Sequence, residues 1–278
     1  MSRSYLFVPG DVPRMLQNLD VFDADSVIID FEDSVNIHEK DEARRLTHAF
    51  LSAHPNVKPD IYIRINGIET ASLFEADLNS IKTLPLAGIV LPKVNQDALD
   101  YLSEFYKQND MHFKVIGIVE TPDVFFDLLP IAKHPLIKGL LLGGEDLTKN
   151  LDIERTTQGD ELLFARSQLI FACKSSDKEV IDTPFTDVLD SEGLEADTTR
   201  AAQLGFTAKS SIHPNHVEII NTLFSPSKKR ITEAMRIIKQ HEKLNRLRFS
   251  LDGKMVDKPV IERAQKLIER AKKYGVIR

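Results

Sequence analysis

The sequence predicts a (β/α)8 TIM barrel with a C-terminal helical extension, an α/β fold. Three observations point to it. Eight short apolar runs recur along the 278 residues, helical stretches separate them, and each run ends in polar or charged residues. Strands alternating with helices through short connections imply parallel pairing and right-handed crossovers. In a barrel of this kind, typically about 250 residues long, the C-terminal strand ends converge on one face where chemistry takes place.

The runs cover residues 5–8, 27–31, 61–65, 88–91, 115–119, 139–142, 180–182 and 207–212. Residues that close them include Pro9-Gly10, Glu32-Asp33, Arg64 with Asn66, Pro92-Lys93, Glu120-Thr121, Glu145-Asp146, Asp182-Thr183 and His213. Helical stretches are expected over 14–20, 39–52, 71–81, 96–108, 124–132, 160–175, 192–204 and 215–223. Pro122 and Pro214 suit the first turn of a helix. Ser225-Pro226-Ser227 marks a boundary. A barrel over residues 1–225 is therefore expected, followed by a helical tail over 226–278 with helices at 228–246 and 259–274 and a turn at 251–257.

Bulk composition excludes several classes. A single cysteine, Cys173, rules out an internal disulfide and Cys-rich zinc sites; it lies in an apolar helical stretch that suits core packing better than nucleophilic chemistry. No apolar run reaches the roughly 18 residues of a membrane span, and the chain enters a strand almost at once, without room for a signal peptide. A cytoplasmic location and no membrane partner are expected. The net charge of −6 argues against a general nucleic-acid binder. That charge is uneven: residues 228–278 carry 16 Lys/Arg and 6 Asp/Glu, the remainder 20 and 36. The tail is then either a solvated basic face or a segment that docks on an acidic surface or a phosphorylated ligand.

On the barrel geometry five acids, Glu32, Asp33, Glu120, Glu145 and Asp146, converge near Arg64 and Lys93. Crowded carboxylates repel one another unless a proton or a cation sits between them. Glu120 and Asp146, on adjacent strands, suit Mg²⁺, which takes few protein ligands and keeps positions open; a helix cap after Gly143-Gly144 is the alternative for Asp146. Glu32 and Asp33 fit either receivers of metal-bound water or a rim ion pair. Arg64, in an apolar strand, needs a partner, and its planar fork suits a substrate carboxylate. Lys93 and Lys209 raise a Schiff-base alternative, set back by the acids, which keep an ammonium charged. His213 reads as a base or as a structural histidine at a helix start. No P-loop, GxGxxG turn or HExxH helix occurs.

The ordered motifs resemble the citrate lyase beta-subunit family of citryl-, malyl- and citramalyl-thioester lyases, within the HpcH/HpaI aldolase superfamily. The likeness runs nearly the whole chain. It is carried by Arg3-Ser4-Tyr5-Leu6-Phe7-Val8-Pro9-Gly10, Asp30-Phe31-Glu32-Asp33-Ser34-Val35, Arg64-Ile65-Asn66, Leu91-Pro92-Lys93 and Glu120-Thr121-Pro122. It continues through Gly143-Gly144-Glu145-Asp146-Leu147, Leu163-Phe164-Ala165-Arg166, Leu204-Gly205-Phe206, Lys209-Ser210-Ser211-Ile212-His213-Pro214 and Asp252-Gly253-Lys254-Met255-Val256-Asp257. Phe31 stands where Leu is usual, and Asn215-His216 replace the more typical polar pair. The resemblance implies a homotrimeric TIM barrel with Mg²⁺ on Glu120 and Asp146, substrate on Arg64, and Glu32 and Asp33 behind metal-bound waters. It further implies that Asp257 is carried by the tail over another subunit's site as a catalytic group.

The expected activity is Mg²⁺-dependent cleavage of a 3-hydroxy-acyl thioester, on coenzyme A or a carrier protein. Oxaloacetate and an acetyl thioester are the leading products, with Arg64, Glu120, Glu145 and Asp146 binding substrate. Citramalyl- or malyl-CoA cleavage or thioester hydrolysis, releasing pyruvate or glyoxylate, is the alternative. A non-catalytic subunit that binds a carrier protein is the alternative of another class.

Overall fold

The computed structural model describes residues 2–277. Eight parallel strands close a barrel in sequence order: β1 (Ser4–Pro9), β2 (Ser26–Asp30), β3 (Asp60–Arg64), β4 (Gly88–Leu91), β5 (Lys114–Val119), β6 (Ile137–Leu142), β7 (Glu179–Asp182) and β8 (Ala208–Ser211). β1 pairs with both β2 and β8, which completes the ring. The strand cores are buried on both faces, as expected of a parallel sheet wrapped in helices, so they read as near-continuous apolar runs. Every second residue points inward: Ile28, Tyr62, Val90, Ile116, Leu141 and Ile181 belong to the barrel's interior cluster.

Among the described residues the strands are followed by α1 (Pro13–Gln17), α2 (Lys40–Ala53), α3 (Ala71–Ile81), α4 (Gln96–Asn109), α5 (Leu128–Lys133), α6 (Gly144–Asn150), α7 (Leu163–Ser175), α8 (Ser191–Leu204) and α9 (Val217–Phe224). Local chemistry sets several of their ends. Asn95 caps α4 by accepting the Ala98 N–H, Asp190 caps α8 through the Gly193 N–H, and Gly205, at φ 119°, stops α8. The stretch expected as one helix over 124–132 is instead a 3₁₀ turn (Asp123–Phe126) followed by α5. α6 begins at Gly143-Gly144, yet Asp146 does not cap it: Gly143 holds the cap position with no side-chain bond, and Asp146 lies inside the first turn.

The chain divides into two compact units, residues 1–221 and 222–278. The division falls inside α9, a few residues before the proline boundary read from the sequence. Asn221 is held to the barrel by the Ser4 hydroxyl, at 2.8 Å, and by its own amide on the Asp23 carbonyl, at 2.9 Å. The second unit packs α10 (Lys228–Leu244) on α11 (Lys258–Lys273) through Ile231, Ala234 and Ile237 against Ile261, Ala264 and Leu267. The segment expected as a plain turn is a hairpin, β9 (Phe249–Leu251) with β10 (Lys254–Val256). Its two-residue loop, Asp252-Gly253, has φ of 51° and 76°, the left-handed pair that matches strand twist.

Four charges are sunk beneath the ends of β7 and β8. Arg166 and Lys209 are fully buried, and both reach Asp182 and Asp197. Arg166 grips Asp182 at 2.9 Å through two nitrogens and Asp197 at 2.8 Å, while Lys209 Nζ lies 2.7 Å from Asp182 and 2.6 Å from Asp197. Two cations balance two anions, so none carries the penalty of an unpaired buried charge.

Removing one partner should expose that penalty: Lys209→Met is expected to cost about 3–5 kcal/mol, read from urea midpoints, and a loss below 1 kcal/mol contradicts the pairing. Burial pushes the Asp197 carboxyl up, but Lys209 and Arg166 outweigh it and hold the group at about 2. A folded value below the unfolded one stabilises the protein fully above about pH 4 and loses that contribution as the pH falls toward 2. Unfolding curves from pH 5 to pH 2 should therefore show a loss of about 2 kcal/mol from this group that Asp197→Asn removes.

Candidate active site

The C-terminal mouth of the barrel holds a pocket of about 400 Å³. Phe7, Ile118, Leu141 and Ile212 give it an apolar wall; Asp30, Asp33, Arg64, Glu120, Glu145 and Asp146 supply the charges. The site is thus a concave, mostly apolar cavity with a few convergent polar groups, as small-molecule sites are.

Arg64 ends β3 and Asp30 ends β2, and the two are direct register partners. Arg64 Nε donates to Asp30 Oδ1 at 2.7 Å and Nη2 to Oδ2 at 2.6 Å, a bidentate fork. Asp30 also accepts the Glu32 and Ser34 backbone N–H groups, at 2.9 and 3.0 Å. Burial raises the Asp30 carboxyl, but Arg64 and these donors bring it below the ordinary range. The sequence leaves Arg64's protein partner open, with Glu32 and Asp33 the nearest acids in the strand-end motifs. Both do touch Nη1, at 2.9 and 3.3 Å, yet the principal partner is Asp30, which that reading passed over as a strand end. Alternation along β2 could have found it, because Ile28 faces the barrel interior and Asp30 follows two residues later.

Glu32 sits behind Arg64. Its Oε2 makes the 2.9 Å ion pair off the hydrogen-bond direction and is otherwise a buried oxygen without a partner. Burial first, then Asp33, Glu120 and Asp30, push its carboxyl up to about 8 against the pull of Arg64. Asp33 is mostly exposed at the rim. Beneath this loop, buried Lys40 donates from Nζ to the Phe31 and Glu32 carbonyls, both at 2.6 Å. Asn66 completes the support, donating to the Phe31 carbonyl and to Asp77. Lys40 and Asp77 had no signal in the sequence beyond lying on amphipathic helices.

Glu120 follows β5 and is only 4% exposed. Its Oε1 accepts the Lys93 backbone N–H at 2.8 Å, and its carbonyl accepts Asn150 Nδ2 at 3.0 Å. Burial, with Asp146 adding to it, raises the carboxyl to about 7 although the Lys93 N–H, Arg64 and Lys93 oppose the rise. Gly143 lies against Glu120: a Cβ there would fall 2.6 Å from Glu120 Cβ and 2.7 Å from Oε2, so only glycine leaves the carboxylate its place. Asp146 reaches the same pocket from the first turn of α6. Glu145 lines the rim, but its carboxylate is drawn 2.5 Å from Arg155, a cation the sequence reading did not use.

The remaining expected residues fall elsewhere. Lys209 is locked in the buried quartet. The Lys93 ammonium is paired with Glu69 at 2.6 Å, which holds its proton more tightly. Both amines are engaged by carboxylates, whereas a Schiff base requires a free amine. His213 caps the turn after β8, accepting the Asn215 N–H at 3.2 Å. Cys173 is buried core, its thiol pushed up to about 12 by desolvation. Asp257, in the second unit, caps α11 by accepting the Val260 N–H at 3.3 Å.

The donor set suits a hard divalent cation. Two carboxylates line an apolar wall, a buried oxygen of Glu32 behind them has no hydrogen-bond donor, and burial raises two of the acids. Among the described residues no group of three or more His, Cys, Asp or Glu stands at metal-holding distances. Mg²⁺ itself is bound through one or two carboxylates and completes its octahedron with water and substrate oxygens.

The sequence profile of the HpcH/HpaI aldolase/citrate lyase family matches residues 3–214. The chain is 35% identical to citrate lyase subunit beta of Haemophilus influenzae, over 98% of this chain and 97% of that protein. It is 26% identical to mitochondrial citramalyl-CoA lyase of Rattus norvegicus, over 97% and 86%. Among solved structures, protein CitE of Mycobacterium tuberculosis in complex with magnesium, acetoacetate and coenzyme A superposes with a TM-score of 0.81 at 26% identity, covering 98% of each chain. The citrate lyase beta subunit of M. tuberculosis complexed with oxaloacetate and magnesium gives 0.71 at 27% identity, covering 81% of this chain and 97% of that one. The family profile and the relatives matched over nearly the whole chain agree: the chain belongs to the HpcH/HpaI aldolase/citrate lyase family and is a lyase of that family.

Proposed function

We propose that the chain is a Mg²⁺-dependent carbon–carbon lyase that cleaves a citryl-type 3-hydroxy-acyl thioester to oxaloacetate and an acetyl thioester. The observation that carries this reading is the meeting of Glu120, Asp146 and Arg64 in one pocket. It is supported by the citrate lyase beta subunits the chain resembles end to end, and by the magnesium and oxaloacetate named for a solved relative.

Glu120 and Asp146 would hold the cation, and Glu32 and Asp33 would receive its waters. When bound, magnesium supplies Lewis-acid stabilisation of negative charge on the substrate oxygens. Arg64 is pre-oriented by Asp30, and its Nη2 keeps a second hydrogen for the substrate carboxylate, which strengthens its hold as charge develops. The hydroxyl loses its proton, the carbon–carbon bond breaks with its electron pair passing to the thioester enolate, and the enolate carbon takes up a proton. The wall of Phe7, Ile118, Leu141 and Ile212 keeps water from the site. By family resemblance Asp257 provides the acid/base group from another subunit of a homotrimer, and the basic tail faces coenzyme A or a carrier protein. Citramalyl-CoA cleavage is the second reading, favoured by the 26% identical lyase of that name.

A substrate panel decides between them. With magnesium and citryl-, citramalyl- or malyl-CoA, oxaloacetate is expected as the fastest-released keto acid; pyruvate instead moves the assignment to citramalyl-CoA, and no turnover with any thioester, carrier-bound ones included, leaves a non-catalytic subunit. Asp146→Asn should lower magnesium-dependent kcat by about 10²-fold or more, the scale of losing one transition-state stabiliser, at unchanged melting temperature. Asp257→Asn preserves a good helix cap but not the carboxyl, so kcat should fall while stability holds; an unchanged kcat discards the catalytic role of Asp257.

A further inference from the structure

We infer that Lys93 is a positioning residue for Glu120 and acts through its main chain rather than its amine. Seven non-glycine residues adopt positive φ among the described residues, and six are Asp or Asn, which tolerate that region. Lys93, at φ 45°, is the exception. A long side chain held there is strained, and such strain persists only where the surroundings enforce it.

The surroundings do so from three sides. Pro92, with its ring-fixed φ, precedes the residue. Val94 follows, with its N–H on the Ile118 carbonyl at 3.0 Å. Its side chain fills the slot left by Gly117, where a Cβ would come within 2.8 Å of it. Asn95 then caps α4 with its oxygen and donates from Nδ2 to the Lys93 carbonyl at 3.3 Å. The product of this locked turn is one N–H aimed at Glu120 Oε1, 2.8 Å away. With Oε1 engaged and Oε2 lying against Gly143, the carboxylate is fixed in rotation. The amine, meanwhile, is spent on Glu69.

The inference rests on Glu120 as a magnesium ligand in the reading above, and its test separates the two. Magnesium affinity is measured by calorimetry on full-length wild type, Lys93→Gly, Lys93→Val and Glu69→Gln, with thermal unfolding recorded for each. Glycine adopts the left-handed turn freely, so Lys93→Gly should bind within about threefold of wild type, as should Glu69→Gln. A β-branched residue resists that turn, and Lys93→Val should bind roughly 10–100-fold more weakly, the range for losing a partner behind a metal ligand. Equal losses in Lys93→Gly and Lys93→Val, or a loss in Glu69→Gln, overturn the inference in favour of the amine; undiminished binding in Lys93→Val overturns it outright. Hydrogen exchange of the Lys93 amide in metal-free protein decides the point independently: slow in wild type and fast in Glu120→Ala is expected, and equal rates refute it. If wild type binds no magnesium, the metal reading fails while this exchange result still stands.

Discussion

The mouth of the barrel depends on one ion pair, the fork of Arg64 closed on Asp30 between register partners of β2 and β3. A guanidinium at the end of an apolar strand has lost its water and must recover the cost from close, well-directed acceptors. Once it has, it becomes the fixed positive charge around which further acids can gather. Glu32 and Asp33 crowd onto its remaining nitrogen, and Glu120 feels its field. The charge still falls short. Glu32 and Glu120 are raised to about 8 and about 7. The shortage is built from neutral packing as much as from the acids, because desolvation heads the causes in both cases.

A second charged cluster supports the first from behind. Lys209, besides joining the Asp182–Asp197 quartet, donates to the Thr183 carbonyl at 2.7 Å, and the Thr183 hydroxyl accepts the Gly144 N–H at 3.1 Å. Gly144 begins α6, the helix that carries Asp146. A buried lysine that looks like a nucleophile in the sequence is thus a strut, and its charge is consumed by structure. The same economy applies at Lys93. Both strand-end lysines of the mouth are engaged by carboxylates.

Much of the architecture was legible in the chain. All eight strands lie where apolar runs met polar closures, with ends shifted by only a residue or two, because a strand buried on both faces must be apolar throughout and must stop where the sheet meets solvent. The site acids were legible for the complementary reason: acidic residues closing apolar strands have one place to go. Less was readable in the partners. Asp30 was hidden as a strand residue, Arg155 and Asn150 lay in a loop and a short helix without a periodic signal, and nothing in the sequence paired Glu145, expected to bind substrate, with Arg155. A cap was the alternative reading of Asp146, and only the start of α6 at Gly144 placed it inside the first turn.

The sequence by itself determined the barrel, the appended helical unit and the kind of groups at the mouth, since these follow from hydrophobic periodicity and from where charges interrupt it. Tertiary structure decided which charge answers which: register set Asp30 against Arg64, burial set the proton affinities of Glu32 and Glu120, and a strained turn at Lys93 set the direction of one N–H. Those outcomes depend on distances between residues far apart in the chain and on the water excluded between them, and neither quantity is written in the local order of residues.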